Sequence, residues 1–390
     1  MDEEIRVVLF GTGGYAANYL EALKKPRRDS VRLAGAVDPY ARDFTACPLY
    51  ADAETMFREA RPHIAVIGTP IQFHAEQAEL AFAHGCHVVL EKPIAATVES
   101  ARSLLRTRDQ AGKLLNVDYQ LCYDPAIRAM KADADAGLFG APVSLRALVL
   151  WPRERTYFQR GSGWAGKKFD AQGRPVFDSV LNNATAHYLM NMLFMTGAPA
   201  ENIQCATFRA NPVETYDTAV MKGTSAGADI FIAVSHALAL PEKTGPILEY
   251  RYERATVRWT RLGDDHAPLT ASFADGRVKT YGTVDEPYME NLWNMVDAIR
   301  EGTDILCTGE TALLQTMAVE RMREIQPEST PFPEAWIRRE ENLHWVPGLA
   351  DALRRCYDRQ ELPHWDLSAS SLTEENSQGL PLSPVFGFNK

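Results

Sequence analysis

The chain has 390 residues, enough for two domains with hydrophobic cores of their own. It is 46% hydrophobic and 24% charged, like an ordinary globular protein, and no apolar run reaches the roughly 18 residues that a membrane span requires. The net charge of −10 argues against general affinity for nucleic acid or anionic membranes. Because the N-terminus is acidic and the six cysteines form no CxxC pair, we predict a cytoplasmic protein with reduced thiols and no metal site.

The first 122 residues alternate between short apolar runs and helical patterns. The apolar runs predict strands at residues 7–10, 31–37, 63–68, 86–90 and 114–117. Strands separated by helices of roughly ten to fifteen residues are typical of βαβ units and a parallel sheet. Near-continuous apolar strands indicate a sheet covered on both faces. We therefore predict an α/β fold whose first domain, residues 1–122, is a doubly wound parallel sheet.

The pattern changes after residue 123. Between residues 203 and 279 the chain alternates like an antiparallel sheet, with predicted strands at 218–222, 229–235, 247–251 and 255–260. Helical patterns occur at 125–136, 183–195, 287–300, 311–324 and 349–358. We predict a second α/β domain over residues 123–335 and a C-terminal extension over 336–390. Its tail, 368–390, has no clear pattern, so it is predicted to be poorly ordered or to pack on a neighbour.

A glycine-rich turn follows the first predicted strand and opens the first helix; it consists of Gly11, Thr12, Gly13, Gly14, Tyr15 and Ala16. In a dinucleotide site of the Rossmann type, Gly11 allows the tight turn, Gly13 lets the backbone approach the pyrophosphate, and Ala16 permits close helix–strand contact. The helix N-terminus offers amide donors to the phosphates. A plain βα turn is the alternative, but the position between strand and helix favours cofactor binding.

Further candidate cofactor residues follow the second and third strands. Asp38 ends the second strand, where a carboxylate accepts hydrogen bonds from a ribose hydroxyl and repels a 2′-phosphate. This favours NAD, although Arg42 nearby leaves NADP possible. A turn carboxylate is the alternative for Asp38. Thr69 and Pro70 are predicted to line the nicotinamide side, and His74 is either a cofactor contact or a capping or solvated residue.

Glu91, Lys92 and Pro93 follow the fourth strand, about eighty residues after the glycine turn, and Glu91 and Lys92 are candidate cofactor contacts. A lysine at that end of the sheet can act on an alcohol or carbonyl beside a nicotinamide; a surface pair with Glu91 is the alternative. The turn, the 68–74 segment and this motif together resemble the Gfo/Idh/MocA oxidoreductases over roughly residues 5–325. The resemblance implies a Rossmann domain beside an α/β domain with a large open, mainly antiparallel sheet, a catalytic Lys92, and a cis Lys92–Pro93 bond.

The family's second signature is an aspartate four residues before a histidine at the start of a helix. Here His187 fits the histidine, and Asn183 occupies the aspartate position. The spacing predicts that both lie on one helix face, with Asn183 binding a hydroxyl and His187 moving its proton. Asp178 is a candidate for a displaced carboxylate. The alternatives are a core histidine at 187 and a helix cap at Asn183.

The predicted substrate contacts are polar and aromatic. Tyr119, Gln120 and Tyr123 follow the fifth strand, while Arg153 and Trp164 lie in a cationic, aromatic loop. Packing residues and a solvated loop are the alternatives.

The resemblance predicts an NAD(P)-dependent oxidoreductase that moves hydride between nicotinamide and a CH–OH or C=O group of a sugar, inositol or related polyol. It also predicts a homodimer or homotetramer formed through the C-terminal sheet. Two other functions stay open: an NAD-dependent glycosidase of the same family, and a non-catalytic NAD(P)-binding sensor. The sequence does not name the substrate, because fold and cofactor do not determine it.

Overall fold

The computed structural model describes residues 4–159, 163–263, 265–285, 287–340, 342–368 and 380. The chain forms two compact units, Met1–Asp124 with Asp285–Thr316, and Pro125–Val284 with Met317–Lys390. This division differs from the predicted 1–122, 123–335 and 336–390, because a late segment rejoins the first unit and the extension belongs to the second. The α-helices of the described residues are α1 Ala16–Lys24, α2 Ala53–Ala60, α3 His74–Ala83, α4 Val98–Ala111, α5 Pro125–Asp135, α6 Arg155–Phe158, α7 Ala186–Thr196, α8 Glu290–Glu301, α9 Gly309–Ile325 and α10 Leu349–Arg359.

The first unit contains a six-stranded, fully parallel sheet with the order β3-β2-β1-β4-β5-β6. Its strands are β1 Ile5–Phe10, β2 Val31–Val37, β3 Leu49–Tyr50, β4 Ile64–Ile67, β5 His87–Leu90 and β6 Leu115–Val117. The predicted doubly wound sheet is therefore confirmed. The strand order reverses between β1 and β4, and such a switch point opens a ligand crevice at the carboxyl ends of the strands.

Local signals in the sequence explain why the helices of this unit begin and end where they do. Thr97 caps α4 by accepting a hydrogen bond from the backbone N–H of Ser100, and Gly112 ends the helix in the left-handed conformation. These two residues fix the ends of α4. A buried apolar cluster then joins the strands to α1 and α8 through Val7, Leu9, Leu20, Ile64, Val66, Val89, Leu292 and Val296.

The second unit is built on a large mixed sheet with the order β15-β14-β12-β11-β7-β10-β9-β8-β16. Its strands are β7 Pro142–Leu150, β8 Glu201–Arg209, β9 Thr218–Ser225, β10 Ala228–Ser235, β11 Thr244–Tyr252, β12 Ala255–Leu262, β13 Asp265–His266, β14 Leu269–Phe273, β15 Val278–Gly282 and β16 Thr330–Pro331. The four strands predicted between residues 203 and 279 are present as β9, β10, β11 and β12. Most pairs are antiparallel, as predicted, and the parallel pairs are β7 with β10 and β8 with β16.

The chain after β16 packs on one face of this sheet. Helix α10 joins a buried cluster with alternate residues of the strands, including Leu148, Phe231 and Ala233. Trp336 and Trp365 belong to the same cluster. A short hairpin of β17 Arg338–Glu340 and β18 Leu343–Trp345 precedes α10. The prediction for the tail falls, apart from residues 368 and 380, outside the described residues. In the part of the chain that the structure describes, no helix is long and apolar enough to cross a membrane.

Candidate active site

The glycine turn joins β1 to α1 at the switch point of the parallel sheet. Gly11 and Gly14 adopt positive φ angles of 86° and 57°, which favour glycine. Gly13 does not, and a Cβ atom built there would meet nothing within 4 Å. The fold of the described residues therefore does not require glycine at position 13. An open backbone at a helix N-terminus fits the close approach of a pyrophosphate.

Helix α1 lies unusually close to the end of β4. A Cβ atom on Gly68 would lie 2.7 Å from Cβ of Ala16, and Ala16 is fully buried. Only two small residues allow this approach, as expected for Ala16 from its place in the motif. The close packing holds the N-terminus of α1 at the rim where β1 and β4 end.

Asp38 is tied to the glycine turn. Its Oδ2 accepts hydrogen bonds from the backbone N–H and the hydroxyl of Thr12, both at 2.8 Å, and its Oδ1 accepts from the N–H of Tyr40 at 2.9 Å. Partial burial opposes ionisation, but these hydrogen bonds outweigh it and lower the pKa of Asp38. Asp38 is therefore a turn carboxylate that is ionised beside the open turn, and its contact with a ribose hydroxyl stays a prediction.

The loops after β4 and β5 are joined by His74. The side chain is 1% exposed, so the solvated role is wrong. Its Nδ1 lies 2.7 Å from the carbonyl oxygen of Pro93 and its Nε2 lies 2.8 Å from that of Thr69. Burial, followed by the Lys92 charge, lowers the pKa of His74. Because both ring nitrogens face backbone carbonyls, the predicted cofactor contact is corrected to a role in positioning these loops. Thr69 and Pro70 themselves are partly exposed, as a role at the cofactor requires.

Lys92 follows β5 and is partly exposed, and the Lys92–Pro93 bond is cis, as the resemblance implied. Glu91 is only 7% exposed, which makes the alternative of a surface pair with Lys92 wrong. Its Oε1 accepts a hydrogen bond from the Tyr19 hydroxyl at 3.0 Å. The predicted contact of Glu91 with the cofactor is therefore corrected, because its carboxyl is directed into the unit.

Asp118, which follows β6, was not predicted from the sequence. It is 1% exposed and hydrogen-bonds the carboxyl of Glu91. Its position immediately after a buried strand, next to the strand that carries Lys92, is the signal that could have revealed it. Two carboxyl groups thus meet where β5 and β6 end.

Three predicted substrate contacts that follow Asp118 are buried within the first unit: Tyr119, Gln120 and Tyr123. Tyr119 donates a hydrogen bond to Oε1 of Gln315 at 2.9 Å, and Tyr123 donates to the carbonyl oxygen of Val117 at 2.7 Å. Gln120 donates to the hydroxyl oxygen of Tyr15 at 2.8 Å. The packing alternative explains the two tyrosines, whereas Gln120 supports Tyr15 in the cofactor turn.

The second signature lies in the other unit, and its predicted geometry is wrong. Helix α7 begins at Ala186, so His187 is helical whereas Asn183 lies in the turns that precede it. The segment turns because the N–H and the hydroxyl of Thr185 both bond back to the carbonyl of Val180. Asn183 is not the helix cap either, since Thr185 occupies that position. Its Nδ2 donates to the Tyr157 hydroxyl at 3.0 Å. His187 is only partly buried between fully buried neighbours, which does not fit a core histidine.

The predicted substrate loop contains a cluster of rings around one cation. The guanidinium carbon of Arg153 lies 5.2 Å from the ring centre of Tyr157 and 6.0 Å from that of Trp151. Trp164 is partly exposed in the same loop. Asp178 is 2% exposed and accepts a hydrogen bond from the N–H of Gly166 at 2.6 Å. A displaced catalytic carboxylate is therefore not supported, because Asp178 holds this loop. Among the described residues, no three metal-ligating side chains are gathered together.

Comparison with known proteins identifies similar sequences for the region that contains the glycine turn and Lys92. Residues 5–119 match the Gfo/Idh/MocA family, described as an oxidoreductase family with an NAD-binding Rossmann fold. The match lies within the first unit, where it covers the whole of the parallel sheet.

Two relatives and one solved structure illustrate how far the similarity extends. The chain is 32% identical to a 1-carboxy-3-chloro-3,4-dihydroxycyclohexa-1,5-diene dehydrogenase of Comamonas testosteroni over 35% of this chain and 36% of that protein. It is 26% identical to the D-apiose dehydrogenase of Rhizobium rhizogenes over 78% of this chain and 88% of that protein. The WlbA dehydrogenase of Bordetella pertussis, solved with NADH and UDP-GlcNAcA, shares the fold with a TM-score of 0.68 and 23% identity, over 83% of this chain and 97% of that one. The chain thus spans about a third of the first relative and most of the second.

Proposed function

We propose that the protein is an NAD-dependent dehydrogenase that transfers hydride between nicotinamide and a CH–OH or C=O group of a sugar, inositol or related polyol. The observation that carries this proposal is the open backbone at Gly13, at the same sheet edge as Asp38 and Lys92. Relatives named as a D-apiose dehydrogenase and as inositol 2-dehydrogenases support the substrate class.

The residues of the first unit would hold the cofactor and the reacting oxygen. The turn amides of residues 11–16 would bind the pyrophosphate, and Asp38 would accept from a ribose hydroxyl. When bound, nicotinamide supplies the hydride acceptor. Lys92 would orient and polarise the substrate oxygen. In the second unit, His187 would move the hydroxyl proton and Asn183 would bind a neighbouring hydroxyl, while Arg153 and Trp164 are proposed substrate contacts.

The experiment that tests the function is a reduction assay. Purified protein is mixed with NAD or NADP and a panel of sugars, inositols and sugar acids, and reduced nicotinamide is followed by absorbance. A rise with a polyol is expected. A cofactor that stays bound through gel filtration, without net reduction and with release of sugar from glycosides, would indicate the glycosidase instead. Cofactor binding without either reaction would indicate the sensor.

The cofactor preference depends on Asp38. We expect Asp38→Ser to lower the ratio of kcat/KM for NAD to that for NADP by about tenfold or more, because the lost carboxylate no longer repels a 2′-phosphate or accepts from a ribose hydroxyl. Steady-state kinetics with both cofactors measures the ratio. Asp275→Ser, at an exposed turn of the second unit, is the control. An unchanged ratio would show that Asp38 only shapes the turn.

If His187 moves the substrate proton, its substitution should lower kcat without affecting NAD binding. His187→Gln keeps a similar shape but cannot take a proton, so kcat should fall by a factor of about 10² to 10⁴ while the Kd of NAD stays unchanged. The exposed His364 provides the matched control as His364→Gln. A lowered melting temperature with normal kcat would make His187 a packing residue instead.

We propose that the protein works in the cytoplasm as a homodimer or homotetramer formed through the C-terminal sheet. The apolar part of one sheet face is covered by α10, so the available part of that face is the polar surface of β11 and β12, where Glu249 pairs with both Arg146 and Arg258. Light scattering gives the mass of the assembly. Arg258→Glu should then dissociate it, and a monomeric wild type would contradict the proposal.

A further inference from the structure

The segment that leads into α8 presents an exposed aromatic ring beside the glycine turn. Tyr288 is 62% exposed, and its ring centre lies 6.2 Å from that of Tyr15, with an angle of 30° between the ring planes. Tyr15 belongs to the glycine turn and immediately precedes α1, and both tyrosines lie in the first unit. Single exposed apolar side chains are ordinary on protein surfaces. Tyr288 differs because its ring packs on a residue of the candidate cofactor turn.

Contacts with the rest of the first unit fix the position of this segment. Asn291, in the first turn of α8, donates a hydrogen bond from Nδ2 to the hydroxyl of Tyr19 in α1 at 2.6 Å. Its backbone carbonyl accepts a hydrogen bond from Nδ2 of Asn116 in β6 at 2.9 Å. Asn291 is fully buried. The start of α8 is therefore held between α1 and β6, three residues after Tyr288.

The residue between Tyr288 and α8 has an unusual backbone conformation. Met289 adopts φ 61° and ψ 16°, in the left-handed region that residues with a Cβ atom rarely occupy. Its side chain is buried in the apolar cluster that joins α1 and α8 to the sheet. A strained residue of this kind persists only where the surrounding structure holds it, and such residues concentrate at ligand sites. The strained turn at Met289 buries the methionine and leaves the ring of Tyr288 exposed against Tyr15.

The sheet order indicates which half of a bound dinucleotide lies near the two tyrosines. The hydroxyl of Tyr15 accepts a hydrogen bond from Nε2 of Gln120, which follows β6, at 2.8 Å. Asp38, the candidate partner of the adenosine ribose, follows β2. β2 and β6 lie on opposite sides of the switch point between β1 and β4. The tyrosines therefore lie toward the half of the site opposite to Asp38, where the nicotinamide would bind.

We propose that Tyr288, held against Tyr15, contacts the nicotinamide ring of bound NAD. The proposal rests on the proposed binding of NAD at the glycine turn, and it adds a cofactor residue outside residues 5–119, the region that is similar to the Gfo/Idh/MocA family. A flat aromatic ring stabilises another ring by apolar contact and by offset or edge-to-face packing. This contact needs the ring of Tyr288 and does not require its hydroxyl.

Calorimetric titration of the purified protein with NAD and with ADP-ribose tests the proposal without any turnover, because ADP-ribose is NAD without its nicotinamide ring. Tyr288→Ala should raise the Kd of NAD by about three- to tenfold and leave the Kd of ADP-ribose within about twofold of the wild-type value. Tyr288→Phe retains the ring and should bind both compounds as the wild type does. Val278→Ala, at an exposed position of the second unit, is the control and should change neither constant.

The outcomes separate this contact from the proposed function. An unchanged Kd of NAD in Tyr288→Ala, or an equal rise for NAD and ADP-ribose, would overturn the contact with nicotinamide and leave the dehydrogenase proposal intact. A selective loss of NAD affinity, with a melting temperature like that of the wild type, would support the contact even if no polyol is oxidised and the proposed function fails. A wild-type protein that binds neither compound would contradict both proposals.

Discussion

Replacing Lys92 with alanine is expected to lower kcat by a factor of about 10² to 10⁴ and to leave the Kd of NAD within about twofold of the wild-type value. The reason is geometric: Lys92 follows β5, whereas the turn that would bind the pyrophosphate follows β1. The substitution should therefore lower kcat without weakening NAD binding. Steady-state kinetics and calorimetric titration with NAD measure the two quantities separately.

The matched control for this variant is Lys243→Ala, which removes an exposed lysine of the second unit. It should leave both constants unchanged. Turnover that survives Lys92→Ala would remove Lys92 from the proposed mechanism, and a parallel loss of NAD binding would show that its role is to hold the cofactor.

Two glycine variants should have opposite effects on folding and on cofactor binding. Gly13→Val places a side chain in open space, so the free energy of unfolding should change by no more than about 0.5 kcal/mol. The Kd of NAD should rise by about tenfold or more, because the side chain occupies the approach of the pyrophosphate. Gly68→Val brings a Cβ atom within 2.7 Å of Ala16 and should lower the free energy of unfolding by about 1 to 3 kcal/mol.

Chemical denaturation and NAD titration of both variants test this contrast. A destabilised Gly13→Val protein would show that Gly13 serves the fold. Tight NAD binding by a stable Gly13→Val protein would show that the pyrophosphate does not approach the backbone at this position.

The parallel sheet could be predicted from the sequence because its signals are local. Apolar strands, the capping residue Thr97 and the C-terminal Gly112 each specify their own element. The glycine turn was recognisable for the same reason, since its spacing reflects a backbone requirement. The two-residue strand Leu49–Tyr50 carries no such pattern, so the sequence does not predict it.

Contacts between distant segments could not be read in this way. The pairing of Glu91 with Asp118 depends on which strands are neighbours, and a single sequence does not state that directly. The position of Asn183 was wrong because Thr185 bonds back to Val180 and delays the start of α7, although the residue spacing suited a longer helix. The sequence does not decide the role of His74, because its two carbonyl partners, on Thr69 and Pro93, come from loops that the fold brings together.

The most direct test of the central claim is a deuterium-transfer experiment. The polyol that the reduction assay identifies is labelled with deuterium at its CH–OH carbon, incubated with the enzyme and NAD, and the reduced cofactor is analysed by mass spectrometry. If the protein is a dehydrogenase that moves hydride directly, the reduced nicotinamide carries the deuterium. Reduced cofactor without the label would contradict direct hydride transfer between substrate and nicotinamide.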